Sequence, residues 1–211
     1  MGQMTLWGSS SSRVLRVHWA LIELGLEYKS MPIGSRTGET ETAEYGDLNP
    51  RRKIPTFQDG DLVLTESAAI VTYLAETYGT PERSLIPTVQ PARAKYFEWL
   101  SFVSMELDAT SLYVLRRHEG LQHIYGDAPA ANKVAREYFD KMIKASVRDI
   151  ADGHRFLLGE QFTGADICMT TIVDWAERYE CPLPAEWLAY RERVRERPSY
   201  AAAMAANQPP G

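Results

Sequence analysis

Four consecutive serines, Gly8-Ser9-Ser10-Ser11-Ser12-Arg13, stand between a short apolar run and the first helical stretch of the chain. Hydroxyls placed there lie at a helix N-terminus, where unbonded N–H groups and the macrodipole favour an anion. The same spacing also suits one serine as a plain N-cap with loop-filling neighbours. A second stretch is Asn49-Pro50-Arg51-Arg52-Lys53-Ile54-Pro55. A proline entering a strand can hold a cis bond, which leaves the backbone of Ile54 open to pair with an extended ligand. Arg51, Arg52 and Lys53 suit a carboxylate, or equally an ordinary charged surface turn. The third stretch is Thr65-Glu66-Ser67. Ser67 and helix N-terminal amides can bind a carboxylate and Glu66 an amino group, although simple capping fits as well. A ligand with a free α-amino group, an α-carboxylate, a thiol and a distant second carboxylate would satisfy all three.

The elements that must carry these stretches follow from periodicity. Thr5-Leu6-Trp7 is a short strand stopped at Gly8. From Ser12 the apolar residues Val14, Val17, Leu21 and Leu24 form one helical stripe that ends at Gly25. Glu27 to Ile33 read as a second strand, bounded by Pro32 and Gly34. Thr56-Phe57-Gln58 and Leu62-Val63-Leu64 flank Asp59-Gly60 as a hairpin. A helix from about Glu66 to Tyr78 follows, with Ile70, Tyr73, Leu74 and Thr77 on its inner face. The order βαβ, an unassigned segment, then ββα predicts a small mixed sheet flanked by helices. Gly79 to Pro91 holds three prolines and reads as a linker. Beyond it every periodic segment is helical: Tyr96, Trp99, Leu100, Val103 and Leu107 form one stripe, and Phe139, Met142, Ile143, Val147 and Ile150 another. Thr163 and Asp166 form a capping box, with Phe162 and Ile167 as a hydrophobic staple, for an almost wholly apolar helix through Ala176. A segment around Trp187, Tyr190 and Val194 is amphipathic, and the tail Asn207 to Gly211 is expected to fray.

Composition narrows the function. The 211 residues carry a formal charge of -5 with scattered Lys and Arg, which argues against a nucleic-acid surface. No segment approaches the ~20 apolar residues of a membrane span, and the N-terminus lacks a signal-peptide pattern. Met1-Gly2 does not begin a myristoylation motif, since Leu6 stands where Ser or Thr is needed. Two cysteines, Cys168 and Cys181, in a chain of this length fit a reducing cytoplasm.

The pattern Asn-Pro … Lys-Ile-Pro … Glu-Ser and the serine-rich turn after the first strand resemble the glutathione transferase superfamily, cytosolic type with a serine active site. The resemblance covers nearly the whole chain. It implies a thioredoxin-like glutathione-binding domain over 1–79, a linker over 80–91 and an all-α helical bundle over 92–211 that contributes an electrophile pocket. Glutathione is then the co-substrate, a small hydrophobic electrophile the partner, and a homodimer the expected assembly. In such proteins the proline matching Pro55 is cis and Ile54 pairs with the cysteinyl backbone of glutathione. Glu66 and Ser67 hold its γ-glutamyl end, and Lys53 with Arg52 meet the glycyl carboxylate. The catalytic hydroxyl precedes the first helix: counting back from Gly25 through Leu24 and Arg16-Val17 points to Ser11, counting forward from Leu6-Trp7-Gly8 points to Ser12. Ser11 is the first choice, with Ser12 and Ser10 as alternatives. Its hydroxyl would stabilise the thiolate of glutathione, which is the nucleophile. A glutathione-dependent lyase, isomerase or peroxidase on the same site is one rival reading, and a non-catalytic regulatory protein of the same fold another.

Other features read as structural. His18, His118, His123 and His154 show no metal-ligand spacing, and Cys168 lies inside the apolar helix as a core residue. Arg191 to Arg197 alternates in sign as a solvated helix face would. Tyr113 and Arg116 lie on a helix suited to border the electrophile pocket.

Overall fold

A computed structural model describes residues 3–150 and 153–209. Met1-Gly2 and the last two residues of the expected frayed tail, Pro210 and Gly211, lie outside them. The chain forms two compact units. One runs to Ile86 and takes in the chain again from Arg195; the other is Pro87–Val194.

In the first unit, β1 (Met4–Trp7), α1 (Ser12–Leu24) and β2 (Lys29–Met31) form a βαβ crossover, α2 (Ala43–Leu48) fills the segment the sequence left unassigned, and β3 (Thr56–Asp59), β4 (Leu62–Thr65) and α3 (Ser67–Tyr78) follow. The sheet order is β2-β1-β3-β4. β1 pairs parallel with β2 and antiparallel with β3, and Leu6 stands opposite both Ser30 and Phe57. This is the expected thioredoxin-like arrangement. β2 is shorter than the expected 27–33, because Pro32 cannot donate to the ladder. The hairpin loop is Gly60-Asp61, since Asp59 still pairs with Leu62. Gly60 supplies the left-handed φ of 58°.

Leu6, Val14, Val17, Trp19, Leu21, Phe57, Ile70, Val71 and Leu74 are buried together in this unit. On α3 the burial differs from expectation at two positions: Thr77 is exposed, and the half-buried Tyr73 donates to Asp59 Oδ2 at 2.8 Å. The unit is completed by α10 (Pro198–Ala206), which docks along α1. The expectation that the tail frays from Asn207 is overturned at that residue. Asn207 is 8% exposed, and its N–H closes α10 on the carbonyl of Ala203.

The second unit holds α4 (Ala92–Phe102), which widens into π-helical turns over Val103–Leu112, returns to α geometry in α5 (Tyr113–Leu115) and widens again over Arg116–Gly120. Then come α6 (Gln122–Tyr125), α7 (Pro129–Ala145), α8 (Gly164–Arg178) and α9 (Ala185–Arg195). The capping box forms as its residues predict. The Thr163 N–H and hydroxyl both donate to Asp166 Oδ2, at 2.8 and 2.9 Å. Asp166 Oδ1 collects the Leu157 N–H and the Tyr190 hydroxyl, so a carboxylate that burial alone would neutralise is ringed by donors. The helix it starts is buried from Gly164 through Ala176. Arg191 departs from the expected solvated face. It is buried and pairs with Glu177 and Glu192, because an alternating-charge run on a helix necessarily sends some charges inward. No described helix is long and apolar enough to cross a membrane.

Candidate active site

The serine loop owes its path to Gly8. Its φ is 131°, and a Cβ there would come within 2.7 Å of Val14 Cγ2 and 3.0 Å of Ile54 Cβ. Only glycine allows the loop to run this close to Ile54. The four serines then take four different roles. Ser9 is buried, its Oγ 3.3 Å from the carbonyls of Pro32 and Ile33. Ser10 is exposed and holds a left-handed φ of 52°, with its N–H on the Asn207 carbonyl at 2.7 Å. Ser11 is the N-cap of α1, accepting the Arg13 N–H at 3.3 Å, and Ser12 is the first helical residue. Ser11 and Ser12 are half-buried. Ser11 Oγ serves its own helix as an acceptor, which leaves its O–H proton free to be donated.

The second stretch is built on a buried polar knot. Asn49 Nδ2 donates to the Lys53 carbonyl at 2.9 Å and to Thr56 Oγ1 at 2.9 Å, while Tyr45 Oη lies 2.7 Å from the same carbonyl and 2.8 Å from Thr56 Oγ1. With the Lys53 carbonyl fixed, the chain runs on through a cis Ile54-Pro55 bond. The N–H and C=O of Ile54 make no hydrogen bond among the described residues. Lys53 is exposed. Arg52 is not free in the same way: at φ 51° its guanidinium donates to the carbonyls of Thr40 and Thr42, both at 3.2 Å, and pairs with Glu41 at 3.7 Å. Arg51 donates to Thr65 Oγ1 at 2.6 Å.

In the third stretch Glu66 is exposed and strained, at φ 70° and ψ 109°, with its carbonyl accepting the Ile70 N–H at 3.0 Å. Its side chain makes no cap bond to the helix it opens. Such backbone costs of order 1–3 kcal/mol and persists only where the surroundings impose it. Ser67 begins α3, is buried, and accepts a hydrogen bond from Arg16 Nη1 at 3.2 Å. Arg16 is 1% exposed. It places a full positive charge behind the N-terminus of α3, where an incoming carboxylate would feel both. Sequence reasoning missed Arg16 as a site residue, because its partner lies 51 residues further along and no local pattern links the two.

Gly8 therefore brings the serine loop against Ile54, and Arg16 ties the helix after that loop to Ser67. The structure joins these two stretches to the serine loop through named atoms. Tyr113 and Arg116 lie in the second unit, both half-buried. Among the described residues no group of three or more His, Cys, Asp or Glu could hold a metal ion. His18 is held neutral, its pKa lowered to about 4 by burial, with Nδ1 2.7 Å from the Tyr28 hydroxyl. Cys168 and Cys181 are buried thiols outside any disulfide among the described residues, and burial pushes the Cys181 thiol up.

Known proteins agree with this architecture. The family model of the glutathione S-transferase N-terminal domain matches residues 2–76 and that of the C-terminal domain matches residues 102–198. The chain is 32% identical to glutathione S-transferase 3 of Zea mays over 79% of its own length and 75% of that protein's. It is 27% identical to a probable maleylacetoacetate isomerase of Vibrio cholerae, over 96% of this chain and 94% of the other. Among solved structures it superposes with TM-score 0.79 on the theta class glutathione S-transferase of Xanthomonas axonopodis pv. citri, solved with glutathione bound. That pair shares 28% identity over 97% of this chain and 98% of the other. The chain belongs to the glutathione S-transferase family. It is an enzyme of the glutathione transferase type, with the fold its sequence implied.

Proposed function

We propose that this protein conjugates the thiolate of glutathione to small hydrophobic electrophiles, with Ser11 as the hydroxyl that stabilises the thiolate. The observation that carries the reading is the close approach of the serine loop to Ile54, whose backbone N–H and C=O are both unbonded. An extended tripeptide pairing there as an added strand sets its central cysteine beside the first turn of α1. Its γ-glutamyl carboxylate then meets Ser67 with Arg16 behind it, its amino group meets Glu66, and its glycyl carboxylate meets Lys53. Arg52 supports the loop on which Lys53 sits and contributes charge at longer range.

A cysteine thiol ionises near ~8.5, so only a small part is thiolate at neutral pH. A hydrogen bond from Ser11 and the helix N-terminus stabilise the anion and lower that value. The thiol proton leaves to solvent. The sulfur lone pair forms the new S–C bond, and a leaving group such as halide departs with its bonding electrons. In this scheme residues 1–79 bind glutathione, 80–91 link, and the helices from residue 92 up to Val194 supply the electrophile pocket, with Tyr113 and Arg116 at its border, while the segment from Arg195 completes the first unit. The working assembly is a homodimer in the cytoplasm.

Similarity to a probable maleylacetoacetate isomerase over nearly the full length supports a second reading, in which the same thiolate adds to and leaves an unsaturated acid. Calorimetry with glutathione, followed by turnover of an aryl halide and of such an acid by wild type, Ser11→Ala and Ser12→Ala, separates the cases. Ser11→Ala is expected to bind glutathione within a fewfold of wild type and to lose ~10²-fold in kcat, the scale of one lost donor to a developing anion. Full activity in both mutants would remove the serine mechanism. Binding without any turnover would favour a regulatory protein.

A further inference from the structure

The serine loop is anchored from the far end of the chain. The Asn207 carbonyl accepts the Ser10 N–H at 2.7 Å, and Asn207 Nδ2 donates to the Ser11 carbonyl at 3.2 Å across a sequence separation of 196. Other contacts show how Asn207 gets there. Arg197 and Ser199 bond Glu23 near the C-terminal end of α1, Ser199 also accepts from Trp19 Nε1 at 3.0 Å, and Tyr200 stands edge-on to Trp19. Helices α1 and α10 therefore run antiparallel, and the last residue of the pair falls on the first turn of α1. Asn207 Oδ1 is buried and receives no hydrogen bond among the described residues. Leaving it so costs ~1–3 kcal/mol that an apolar side chain would avoid. The side-chain atom that makes a contact is the Nδ2 donor, on the Ser11 carbonyl.

We propose that Asn207 is a positioning residue for the thiol-stabilising serine, an inference that rests on the role assigned to Ser11 above. Ser10 holds a left-handed φ that a non-glycine residue leaves readily unless its neighbours impose it. Asn207 imposes it from both sides of the Ser10–Ser11 peptide. Released, that peptide rotates, Ser11 leaves the N-cap geometry, and its hydroxyl moves off the line to the sulfur.

The test uses the full chain with Asn207→Ala, which removes the side-chain donor, and a chain ended at Ala206, which removes both contacts. Bound glutathione is titrated by the ultraviolet absorbance of its thiolate, alongside kcat, KM and melting curves. In folded variants the titration is expected to move to higher pH and kcat at neutral pH to fall about five- to tenfold, less than the ~10²-fold that misplacement by a full ångström can cost. KM for glutathione should stay within about twofold, and the deficit in kcat should vanish at pH values where free thiol is already ionised. A folded Asn207→Ala protein with an unchanged thiol titration would overturn the inference. Should both variants fail to fold, amide exchange in the wild type decides: Ser10 is expected to be protected, and exchange at the open-chain rate would overturn the clamp. If wild type itself does not depress the bound thiol's titration, the assigned role of Ser11 fails first, and Ser10 protection still reports the clamp separately.

Discussion

Glu66 shows at single-residue scale how a site and a stability cost coincide. At φ 70° any L side chain is strained, yet the position carries an exposed carboxylate rather than glycine. If Glu66 holds the amino group of glutathione as proposed, Glu66→Gly and Glu66→Ala should both weaken glutathione binding by about tenfold or more, since each would remove that charge-assisted bond. They should differ in stability. Glycine relieves a backbone cost of order 1 kcal/mol that alanine keeps, so Glu66→Gly should melt at or above Glu66→Ala. Equal weakening of binding with this order of melting points assigns the strain to the backbone and the affinity to the carboxylate. His18 gives a second residue-scale expectation. Its folded pKa of about 4 lies below its ordinary 6.5, so between those values the unfolded chain binds more protons and stability falls as pH falls. By pH 5 the loss is about 2 kcal/mol, obtained from that difference in proton binding. Urea midpoints at pH 7 and pH 5 should separate for wild type and separate less for His18→Gln.

At the scale of elements, the capping box of α8 makes the sharpest claim. Asp166 is buried and takes four donors from Thr163, Leu157 and Tyr190. Asp166→Ala leaves all of them without an acceptor and should cost about 3–5 kcal/mol in urea unfolding, far more than the ~1 kcal/mol of an exposed cap. An effect under 1 kcal/mol would show that water replaces the carboxylate. This box was legible in the sequence because all of its logic lies within a few residues, Thr163 to Asp166 with Phe162 and Ile167 around them. So were α1 with its stop at Gly25 and the hairpin, while for Pro55 the residues only allowed a cis bond and the family resemblance implied it. What escaped is long-range. Arg16 bonds Ser67 across a separation of 51, and Asn207 bonds Ser11 across 196. No periodicity encodes such pairs, because the partners become neighbours only after the helices dock. Tyr45 and Thr56 escaped for a related reason: their hydroxyls matter only once both reach the Lys53 carbonyl.

For the whole molecule, the partition of the chain is the consequential point. The family resemblance puts all of residues 92–211 in one helical domain, and the stretch that forms α10 falls inside those bounds. In the folded chain the segment from Arg195 belongs to the unit that carries β1 to α3. Trp19 is fully buried, with Tyr200 and Ser199 among its contacts, and Ala203 of α10 is fully buried too. A chain ended at Val194 therefore exposes the Trp19 face of α1 and loses an aromatic pair worth ~1 kcal/mol beyond its area. Together with the apolar surface uncovered, the first unit should lose several kcal/mol, at roughly 25 cal/mol per Å². A chain ended at Gln208 keeps every contact named here and should unfold like wild type. The comparison is made by urea unfolding followed through tryptophan emission, with Trp19 replaced by phenylalanine in a parallel pair to identify its contribution. If the chain ended at Val194 unfolds with the midpoint of the full chain, α10 is an appendage, and the first unit is complete at Ile86.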